Sequence, residues 1–395
     1  MGVIPKVQQS KMTLSDRKFE RILLIKLSAI GDVIHTVPLF KALRRHYPDA
    51  RIDWISKPTP AEFISGLPGL DNVIVYGENQ TEVPQYNWNG FTHFVRLVRD
   101  HRFVAMLSRL RAARYDLVID MQGQLRSGFV AMVTGAPVRM GFERPRKAVW
   151  ESAGKLLPEG SIQRAWKGSR EGAWLAYTHP ISLPTLNMHP IDRNLLAANM
   201  LGIPSQPADC EIPLRPNAVQ RVDELLRETI GGSSRPPILL TPGTLWETKH
   251  WLPEGYAAVA RHFLARGFPV ILTGAPNEAD KCLRIAEAAP GAIVLQTTLA
   301  EMAALMQRSS LILANDSGPM HLATALGKTA FALFGPTNPK WVGPYKRPDL
   351  VLSAGVECSP CFLRDLARCK HDHACMREIS PERVIEAMEN QLPGN

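Results

Sequence analysis

Short apolar runs alternate with segments of helical periodicity along most of the chain. The run Arg21–Leu27 leads through a turn of small residues into Pro38–His46, where Leu39, Phe40 and Leu43 recur at helical spacing. A strand, a small-residue turn and a helix in succession are typical of α/β proteins. The pattern therefore predicts parallel sheets covered by helices.

The runs predicted as buried strands are apolar on both faces and end in small, hydroxyl or acidic residues. They are Arg21–Leu27, Ile52–Ile55, Val73–Tyr76, Leu117–Asp120, Ile238–Leu240, Phe268–Thr273, Ile293–Leu295, Leu311–Ala314 and Ala330–Phe334. Continuous apolar runs of this length are typical of parallel strands. Ligands bind beyond the carboxyl ends of such strands, so we expect the polar residues that follow them to line a cleft.

A dense set of prolines separates two series of predicted strands. The helix predicted at Asp192–Leu201 ends before Gly202, and four prolines follow within residues 204–216. Proline density of this kind indicates an interdomain linker. We predict a disordered basic tail at residues 1–19, an N-terminal Rossmann-like domain at residues 20–205 and a C-terminal Rossmann-like domain with a cysteine-containing end at residues 206–395.

The turn Asn315–Pro319 lies between a predicted strand and a predicted helix over Met320–Leu326. Asp316 or Ser317 can cap this helix, and Gly318 lets a ligand approach the backbone. The unpaired amides and the positive end of the helix dipole form an anion site, into which a diphosphate would fit. The alternative is a well-capped junction that binds no ligand.

Two turns in the first half of the chain carry further candidate ligands. Asp32 follows the first predicted strand, in a turn that lacks the G-x-G-x-x-G pattern of dinucleotide sites. Its alternative role is to cap the helix that follows. Gln122 and Arg126 follow the strand Leu117–Asp120, and Arg126 is a candidate ligand for an anion.

The segment Phe91–Arg114 is predicted to be a long helix rich in arginine. Arg96, Arg99 and Arg102 recur every third residue and share one face. Such a face is commonly solvated. A basic amphipathic helix beside a cleft would also suit docking on an anionic membrane.

The net charge of the protein limits the kinds of partner that it is expected to bind. The 395 residues carry a formal charge of +9, which favours nucleic acid, an acidic membrane surface or a phosphorylated substrate. No apolar run approaches the roughly 20 residues that span a bilayer, and Met1–Phe19 lacks the core of a signal peptide. The sequence therefore predicts a cytoplasmic protein.

Four of the six cysteines lie close together near the end of the chain. Cys358, Cys361, Cys369 and Cys375 form a C-x2-C-x7-C-x5-C pattern. The C-x2-C half suits zinc, and reduced structural thiols are the alternative. A disulfide framework is not expected in a chain of this length without a secretion signal.

Four motifs, taken together and in this order, resemble those of the lipopolysaccharide heptosyltransferases. They are Ile30–Pro38, Asp120–Gly123, Thr248–Trp251 and Asn315–His321. The resemblance implies an inverting glycosyltransferase of GT-B fold, with two Rossmann-like domains that face each other across a cleft. It also implies ADP-heptose as donor substrate, no required cofactor, and transfer of heptose to the inner core of lipopolysaccharide.

The resemblance also implies roles for single residues. Asp32 would be the catalytic carboxylate, acting as general base. Gln122 and Arg126 would contact the anionic acceptor, which is Kdo-lipid A or heptosyl-Kdo-lipid A. The implied donor site comprises Thr244, Lys249, Glu278, Thr297, Asp316, Ser317, Gly318 and His321.

The implied reaction agrees with the chemistry of these residues. A carboxylate in the N-terminal half can take the proton of the acceptor hydroxyl, while Lys249 and the helix after Asp316 can stabilise the departing ADP without a metal. The implied partners are a nucleotide sugar and an anionic lipid-linked glycan at the cytoplasmic face of the inner membrane, and nucleic acid is not expected. The alternatives are a non-catalytic module that binds nucleotides or anionic glycans, and the same fold with another nucleotide-sugar donor.

Overall fold

The computed structural model describes residues 13–76, 100–144, 146–155, 157–159, 161, 168–204, 209–231 and 233–392. Its strands form two sheets of six, and every strand pair in both sheets is parallel. The predicted architecture of two Rossmann-like halves is confirmed.

The strands of the first sheet are β1 Arg21–Ile25, β2 Arg51–Ser56, β3 Asn72–Val75, β4 Leu117–Asp120, β5 Val138–Phe142 and β6 His179–Ile181. Those of the second sheet are β7 Ile238–Thr241, β8 Val270–Leu272, β9 Ile293–Val294, β10 Leu311–Asn315, β11 Ala330–Phe334 and β12 Val351–Ser353. All the strands predicted from apolar runs are present. The central strands β4, β7 and β10 are buried along their whole length, as expected for strands covered on both faces.

The α-helices of the described residues begin with α1 Ile30–Ile34, α2 Val37–His46, α3 Pro58–Ile64, α4 His101–Ala112, α5 Leu125–Val133, α6 Lys147–Gly154, α7 Pro190–Met200 and α8 Pro216–Ile230. They continue with α9 Pro253–Ala265, α10 Ala279–Glu287, α11 Leu299–Arg308, α12 Gly318–Ala325, α13 Pro339–Val342, α14 Ala374–Arg377 and α15 Pro381–Glu389. None of these helices is long and apolar enough to cross a membrane.

Both sheets have the same order of strands. In the first the order is β3-β2-β1-β4-β5-β6, and in the second it is β9-β8-β7-β10-β11-β12. In each sheet, the second and third strands are added on one side of the first strand, and the fourth to sixth strands are added on its other side. This change of direction leaves a crevice at the carboxyl ends of the first and fourth strands, which are neighbours. Ligand-binding residues are therefore expected after β1 and β4 and after β7 and β10.

Helix α2 shows how the apolar pattern becomes packing. Leu39, Phe40 and Leu43 are fully buried against the first sheet, as their spacing predicts. The last turn carries Arg44 and Arg45, whose charges are favourable at the negative end of the helix dipole. Further along the chain, α7 packs on α2 and α8 packs on α11. The boundary between the two halves therefore lies between α7 and α8. We predict it from the sequence at residue 205, which is within this interval.

The prediction of a disordered tail to residue 19 is wrong at its end. Leu14–Asp16 forms a 3-10 turn, and Phe19 is buried with its ring edge-on to Tyr47 at 5.7 Å between centroids. The aromatic contact fixes the chain directly before β1. Residues 1–12 lie outside the described residues.

The prediction of one long helix over residues 91–114 also needs correction. Helix α4 begins at His101, because Asp100 has an extended backbone and its Oδ1 accepts a hydrogen bond from Arg102 N at 2.8 Å. An Asp that caps a helix cannot lie in its interior. Arg102 is exposed in the first turn of α4, whereas Arg96 and Arg99 lie outside the described residues.

Asp120 is the last residue of β4, and its side chain holds the turn that follows by hydrogen bonds. Its carboxylate is fully buried and accepts hydrogen bonds from Gln122 N at 2.8 Å, Gly123 N at 3.1 Å and Tyr177 Oη at 2.8 Å. The Tyr177 ring lies where a side chain at Gly141 would be, so only glycine at that position of β5 lets the phenol reach Asp120. Burial raises the pKa of Asp120, and the hydrogen bonds oppose that effect.

Replacing Tyr177 with Phe tests this arrangement. The change keeps the ring and leaves one buried oxygen of Asp120 without its donor, which should lower the free energy of unfolding by about 1–3 kcal/mol in denaturant titration. Tyr345→Phe is the matched control, because Tyr345 Oη donates to Asp192 Oδ1 at 2.6 Å in a partly exposed position that water can fill. Equal losses in the two variants would contradict a special role for the buried pair.

Candidate active site

Asp32 lies after β1, at the crevice of the first sheet. It stands in the first turn of α1, where its Oδ2 accepts a hydrogen bond from Ala29 N at 3.1 Å. The side chain is nevertheless 49% exposed, and the ammonium of Lys26 lies 3.8 Å from it. The structure shows that Asp32 bonds the backbone at the start of α1 and that its carboxylate still faces solvent. A chemical role for this carboxylate stays a prediction.

Gln122 and Arg126 lie after β4, on the other side of the same crevice. Gln122 Oε1 accepts hydrogen bonds from Leu27 N at 3.0 Å and Ser28 N at 3.3 Å, which joins the two turns. Arg126 donates to Gln124 Oε1 at 2.8 Å. The structure thus uses the Gln122 carbonyl to shape the crevice. A contact between these two residues and the acceptor stays a prediction.

Lys249 and Asp316 meet at the crevice of the second sheet. Lys249 follows β7, Asp316 follows β10, and Nζ lies 2.7 Å from Oδ2. Asp316 is only 3% exposed and accepts a second hydrogen bond from Thr337, which follows β11. The carboxylate is therefore a buried anchor for the lysine. The position that caps α12 belongs to Ser317.

Further predicted donor residues line the same edge. Glu278 accepts a hydrogen bond from Ala275 N at 2.8 Å and fills the space beside Gly243, in the turn after β7. Thr297 shares a hydrogen bond of 2.8 Å with Thr273, so the turns after β8 and β9 are joined. Thr244 lies half-buried after β7. These residues share one rim, as the strand ends predict.

Gly318 and His321 lie where the two halves touch. Helix α12 packs against α1, with Gly318 facing Ile30. The His321 ring occupies the space that a side chain at Gly31 would take. His321 Nδ1 shares a hydrogen bond of 3.0 Å with Nε2 of His35, so a residue predicted for the donor site is also a contact between the halves.

His189 extends this contact into a cluster of three imidazoles, of which His35 is buried and the other two are half-buried. Its ring lies 5.0 Å from that of His35, and its Nε2 donates to Gly343 O at 3.1 Å. Burial lowers the pKa of His189 to about 3 and that of His321 to about 4. Burial also holds the pKa of His35 well below its usual value. The cluster is thus neutral near pH 7.

Sequence reasoning missed several residues of this site. Thr337 and Lys26 each follow a strand and carry the same positional signal as Asp32 and Lys249. Two more are His35 and His189, which form a cluster with His321. His35 lies within the motif Ile30–Pro38, whereas His189 caps α7, remote in sequence, with no local pattern to mark it.

The four cysteines of the last segment lie near one another as thiols. Burial, followed by the proximity of the other three, raises the pKa of Cys375 to about 12. Within the part of the chain that the structure describes, no three His, Cys, Asp or Glu side chains are placed to hold a metal ion. Zinc at Cys358, Cys361, Cys369 and Cys375 stays a prediction without geometric support.

The segment with these cysteines packs against the loop of Lys249. His373 Nε2 donates to Thr248 O at 2.7 Å, and Thr248 Oγ1 donates to Leu363 O at 2.6 Å. The guanidinium of Arg364 lies 4.7 Å from the ring centroid of Trp246. The segment therefore supports the loop that presents Lys249 to the cleft.

Comparison with known proteins gives one consistent family. The model of glycosyltransferase family 9 (heptosyltransferase) matches residues 103–161 and 155–371. The chain is 29% identical over 389 residues to lipopolysaccharide heptosyltransferase 1 of Pseudomonas aeruginosa, covering 94% of this chain and 98% of that protein.

Two solved structures share the fold over nearly the whole chain. A glycosyl transferase of family 9 from Veillonella parvula has a TM-score of 0.73 at 22% identity, covering 94% of this chain and 97% of that one. The E. coli heptosyltransferase WaaC with ADP has a TM-score of 0.65 at 21% identity, covering 94% of this chain and 100% of that one. The predicted GT-B fold is confirmed.

The three imidazoles of this cluster give the protein a pH-dependent stability. Their pKa values lie below the 6.5 of an ordinary histidine, so the unfolded chain takes up protons first as the pH falls. The stability that the neutral cluster provides is present above pH 6.5 and is lost as the pH falls toward 4. The loss should be up to about 1.4 kcal/mol per pH unit for each histidine.

Thermal unfolding between pH 7 and pH 5.5 checks this expectation. His321→Gln removes one titrating group from the cluster, so its melting temperature should fall less steeply with pH than that of the wild type. His101→Gln, at an exposed position in α4, should keep the wild-type slope. If His321→Gln leaves the slope unchanged, His321 is not the source of the pH dependence.

Proposed function

The chain belongs to glycosyltransferase family 9, the heptosyltransferase family, and we propose that it transfers heptose from ADP-heptose to the inner core of lipopolysaccharide with inversion. The acceptor is Kdo-lipid A or heptosyl-Kdo-lipid A, and Asp32 is the general base. The match to a heptosyltransferase 1 over nearly the full length of both chains supports this substrate class.

The observation that carries the proposal is the position of His321. Its imidazole is acted on electrostatically by Asp32 from one half and by both Asp316 and Lys249 from the other. The exposed carboxylate after β1 and the ion pair after β7 and β10 therefore both lie near His321, which packs on Gly31 next to Asp32, and this supports a single cleft between the halves. A base on one wall and a cation on the opposite wall are what inverting transfer requires, because the nucleophile attacks opposite the leaving group.

Asp32 acts on the acceptor hydroxyl. It takes the proton while the hydroxyl oxygen forms a bond to the anomeric carbon, and the bond from that carbon to the diphosphate oxygen breaks with its electron pair. Asp120 and Asp316 are buried and accept hydrogen bonds from two or more donors. Of the three strand-end carboxylates, only Asp32 is exposed to receive a proton.

Lys249 stabilises the charge that ADP gains as the bond breaks. Its contact with Asp316 holds the ammonium at the mouth of the second crevice, next to the first turn of α12. A preorganised cation beside a helix N-terminus lowers the energy of a developing phosphate charge without rearrangement. ADP in the solved structure of WaaC supports an adenosine diphosphate donor for this chain.

The acceptor is anionic and lipid-linked, which suits the net charge of +9. We therefore place the protein at the cytoplasmic face of the inner membrane. Arg126 and Lys57 supply positive charge beside the first crevice. The two charges act on each other, because burial first and the Arg126 guanidinium second lower the pKa of Lys57. An anionic headgroup there would be attracted by both side chains.

Asp32→Asn separates an enzyme from a binding module. Asn can still accept the hydrogen bond from Ala29 N, so stability should change little, but it cannot take a proton. We expect kcat to fall by about 10²–10⁴-fold while ADP-heptose still binds. Transfer to Kdo-lipid A is followed by mass spectrometry, and ADP-glucose serves as the control for donor identity. Near wild-type kcat in the variant would rule out Asp32 as base.

Lys249→Met tests the donor assignment. The change removes the cation and leaves the buried Asp316 carboxylate facing the diphosphate. We expect a loss of about 2–4 kcal/mol in kcat/KM for ADP-heptose, and weaker ADP binding by calorimetry. Lys340→Met, at an exposed position in α13, is the matched control. Unchanged ADP affinity together with unchanged kcat would place Lys249 outside the donor site.

A further inference from the structure

Two cations contact the same indole ring in the loop after β7. The ammonium of Lys249 lies 4.4 Å from the ring centroid of Trp246, and the guanidinium carbon of Arg364 lies 4.7 Å from it. Lys249 belongs to the same loop, whereas Arg364 comes from the cysteine-containing segment far along the chain. Cations are attracted to the face of an aromatic ring, and tryptophan attracts them most strongly. The ring therefore keeps both charges close to one point.

The backbone that leads to Arg364 crosses the carboxyl end of β10. Phe362 N donates a hydrogen bond to Pro336 O at 2.7 Å, in the turn after β11. The carbonyl of the next residue, Leu363, accepts a hydrogen bond from Thr248 Oγ1 at 2.6 Å, in the loop after β7. Strands β7 and β11 are the two neighbours of β10 in the sheet. The segment therefore brings Arg364 to the strand end at which α12 begins.

The backbone is also attached to the loop after Arg364. Leu366 N donates a hydrogen bond to Glu247 Oε2 at 3.1 Å, two residues before Lys249. Contacts on both sides of Arg364 therefore fix its backbone relative to Lys249. The side chain of Arg364 is exposed, so it can turn toward a ligand without a change in the fold.

The ion pair of the donor site carries little net charge. Lys249 Nζ lies 2.7 Å from the carboxylate of Asp316, so the charges of these two side chains largely offset each other. ADP carries several negative charges and gains another when its bond to the sugar breaks. Among the residues that the structure describes, no carboxylate forms an ion pair with the guanidinium of Arg364. Its charge is therefore available to an anion bound beside Lys249.

We propose that Arg364 is a second cation of the donor site, which binds the diphosphate of the nucleotide sugar together with Lys249. Trp246 is the positioning residue that holds both cations in place. The inference rests on the proposed function and adds these two residues to its donor site. The planar guanidinium donates parallel hydrogen bonds to two phosphate oxygens, whereas an ammonium acts as a point charge. Arg364 thus orients the diphosphate, and Lys249 stabilises the charge that develops on it.

The donor is favoured over the acceptor as the source of the anion. The hydrogen bonds that fix the segment go to the loops after β7 and β11, which belong to the donor half. The cation that shares the Trp246 ring is Lys249, which we propose as the partner of the diphosphate. A phosphate that reaches Lys249 is therefore close to the guanidinium of Arg364.

The experiment compares Arg364→Gln and Arg364→Lys with the wild type in the full-length chain. The matched control is Arg368→Gln, an exposed arginine of the same segment. Calorimetry gives the Kd of ADP at low and high salt, and competition against ADP gives the Kd of adenosine. Steady-state kinetics give KM for ADP-heptose and for Kdo-lipid A. Both arginine side chains are exposed, so the variants should fold, which thermal unfolding checks.

We expect Arg364→Gln to raise the Kd of ADP on the order of 10–100-fold, with the Kd of adenosine unchanged and a weaker dependence of ADP binding on salt. Arg364→Lys should recover part of the loss, because it keeps the charge without the planar fork. Arg368→Gln should match the wild type. If Arg364→Gln binds ADP as tightly as Arg368→Gln does, the inference is wrong. A raised KM for Kdo-lipid A with an unchanged Kd of ADP also overturns it, because the guanidinium then binds the acceptor.

Trp246→Leu and Trp246→Phe test the positioning role. Leu removes the aromatic face from both cations, so kcat/KM for ADP-heptose should fall roughly 3–30-fold. Phe keeps an aromatic face and should recover part of that loss. In the Arg364→Gln background Trp246→Leu should cost less, because only Lys249 then remains on the ring. Equal kcat/KM in the Leu and Phe variants, or fully additive losses, would show that the ring does not hold the two cations.

The wild-type protein separates this inference from the function on which it rests. ADP binding without heptose transfer by the wild type, together with weaker ADP binding by Arg364→Gln, overturns the proposed function alone. Heptose transfer by the wild type, together with an unchanged Kd of ADP in Arg364→Gln, overturns the second cation alone. A wild-type protein that neither binds ADP nor transfers heptose overturns both.

Discussion

The close approach of α1 and α12 is the constraint on which the site depends. Each helix begins next to the crevice of its own sheet, so their contact brings the two crevices face to face. The contact is possible because Gly31 leaves room for the ring of His321. A side chain at position 31 would collide with that ring, so either His321 or the contact between α1 and α12 would have to shift. Glycine at this position thus lets Asp32 and the ion pair of Lys249 and Asp316 lie close to each other.

The environment of each carboxylate decides its role, since all three of Asp32, Asp120 and Asp316 end a strand or follow one. Asp120 and Asp316 are buried and bound by fixed donors, which makes them anchors for a turn and for a lysine. Asp32 accepts a hydrogen bond from Ala29 N, lies 3.8 Å from the Lys26 ammonium and has about half of its side-chain surface in solvent. Identical chemistry at equivalent positions therefore yields two structural residues and one exposed carboxylate, which is the one we propose as base.

Local pattern was sufficient to predict the apolar strands and the residues that follow them, because both depend on a few neighbouring positions. It failed for β5, β6 and β12, which the prediction omitted. Strand β5 contains Arg139, whose guanidinium binds the carbonyls of Ala136 and Ala176, and β6 contains Pro180 at the edge of the sheet. His189 was missed for another reason. It becomes a neighbour of His35 only through the folding of segments far apart in sequence, so no local signal marks it.

The cysteine-containing segment shows why a motif can be conspicuous and still act indirectly. Its pattern suggested a metal, yet its clearest contacts are two hydrogen bonds from side chains to backbone carbonyls, which join it to the loop at Thr248, and the stacking of Arg364 near Trp246. The loop that holds the Lys249 ammonium against the buried Asp316 carboxylate needs contacts from a neighbouring segment. Its own 3-10 turn of Glu247–Lys249 makes few internal hydrogen bonds. The segment gives that support through His373 and Leu363. The geometry of the ion pair between Lys249 and Asp316 thus depends on contacts made by residues far along the chain.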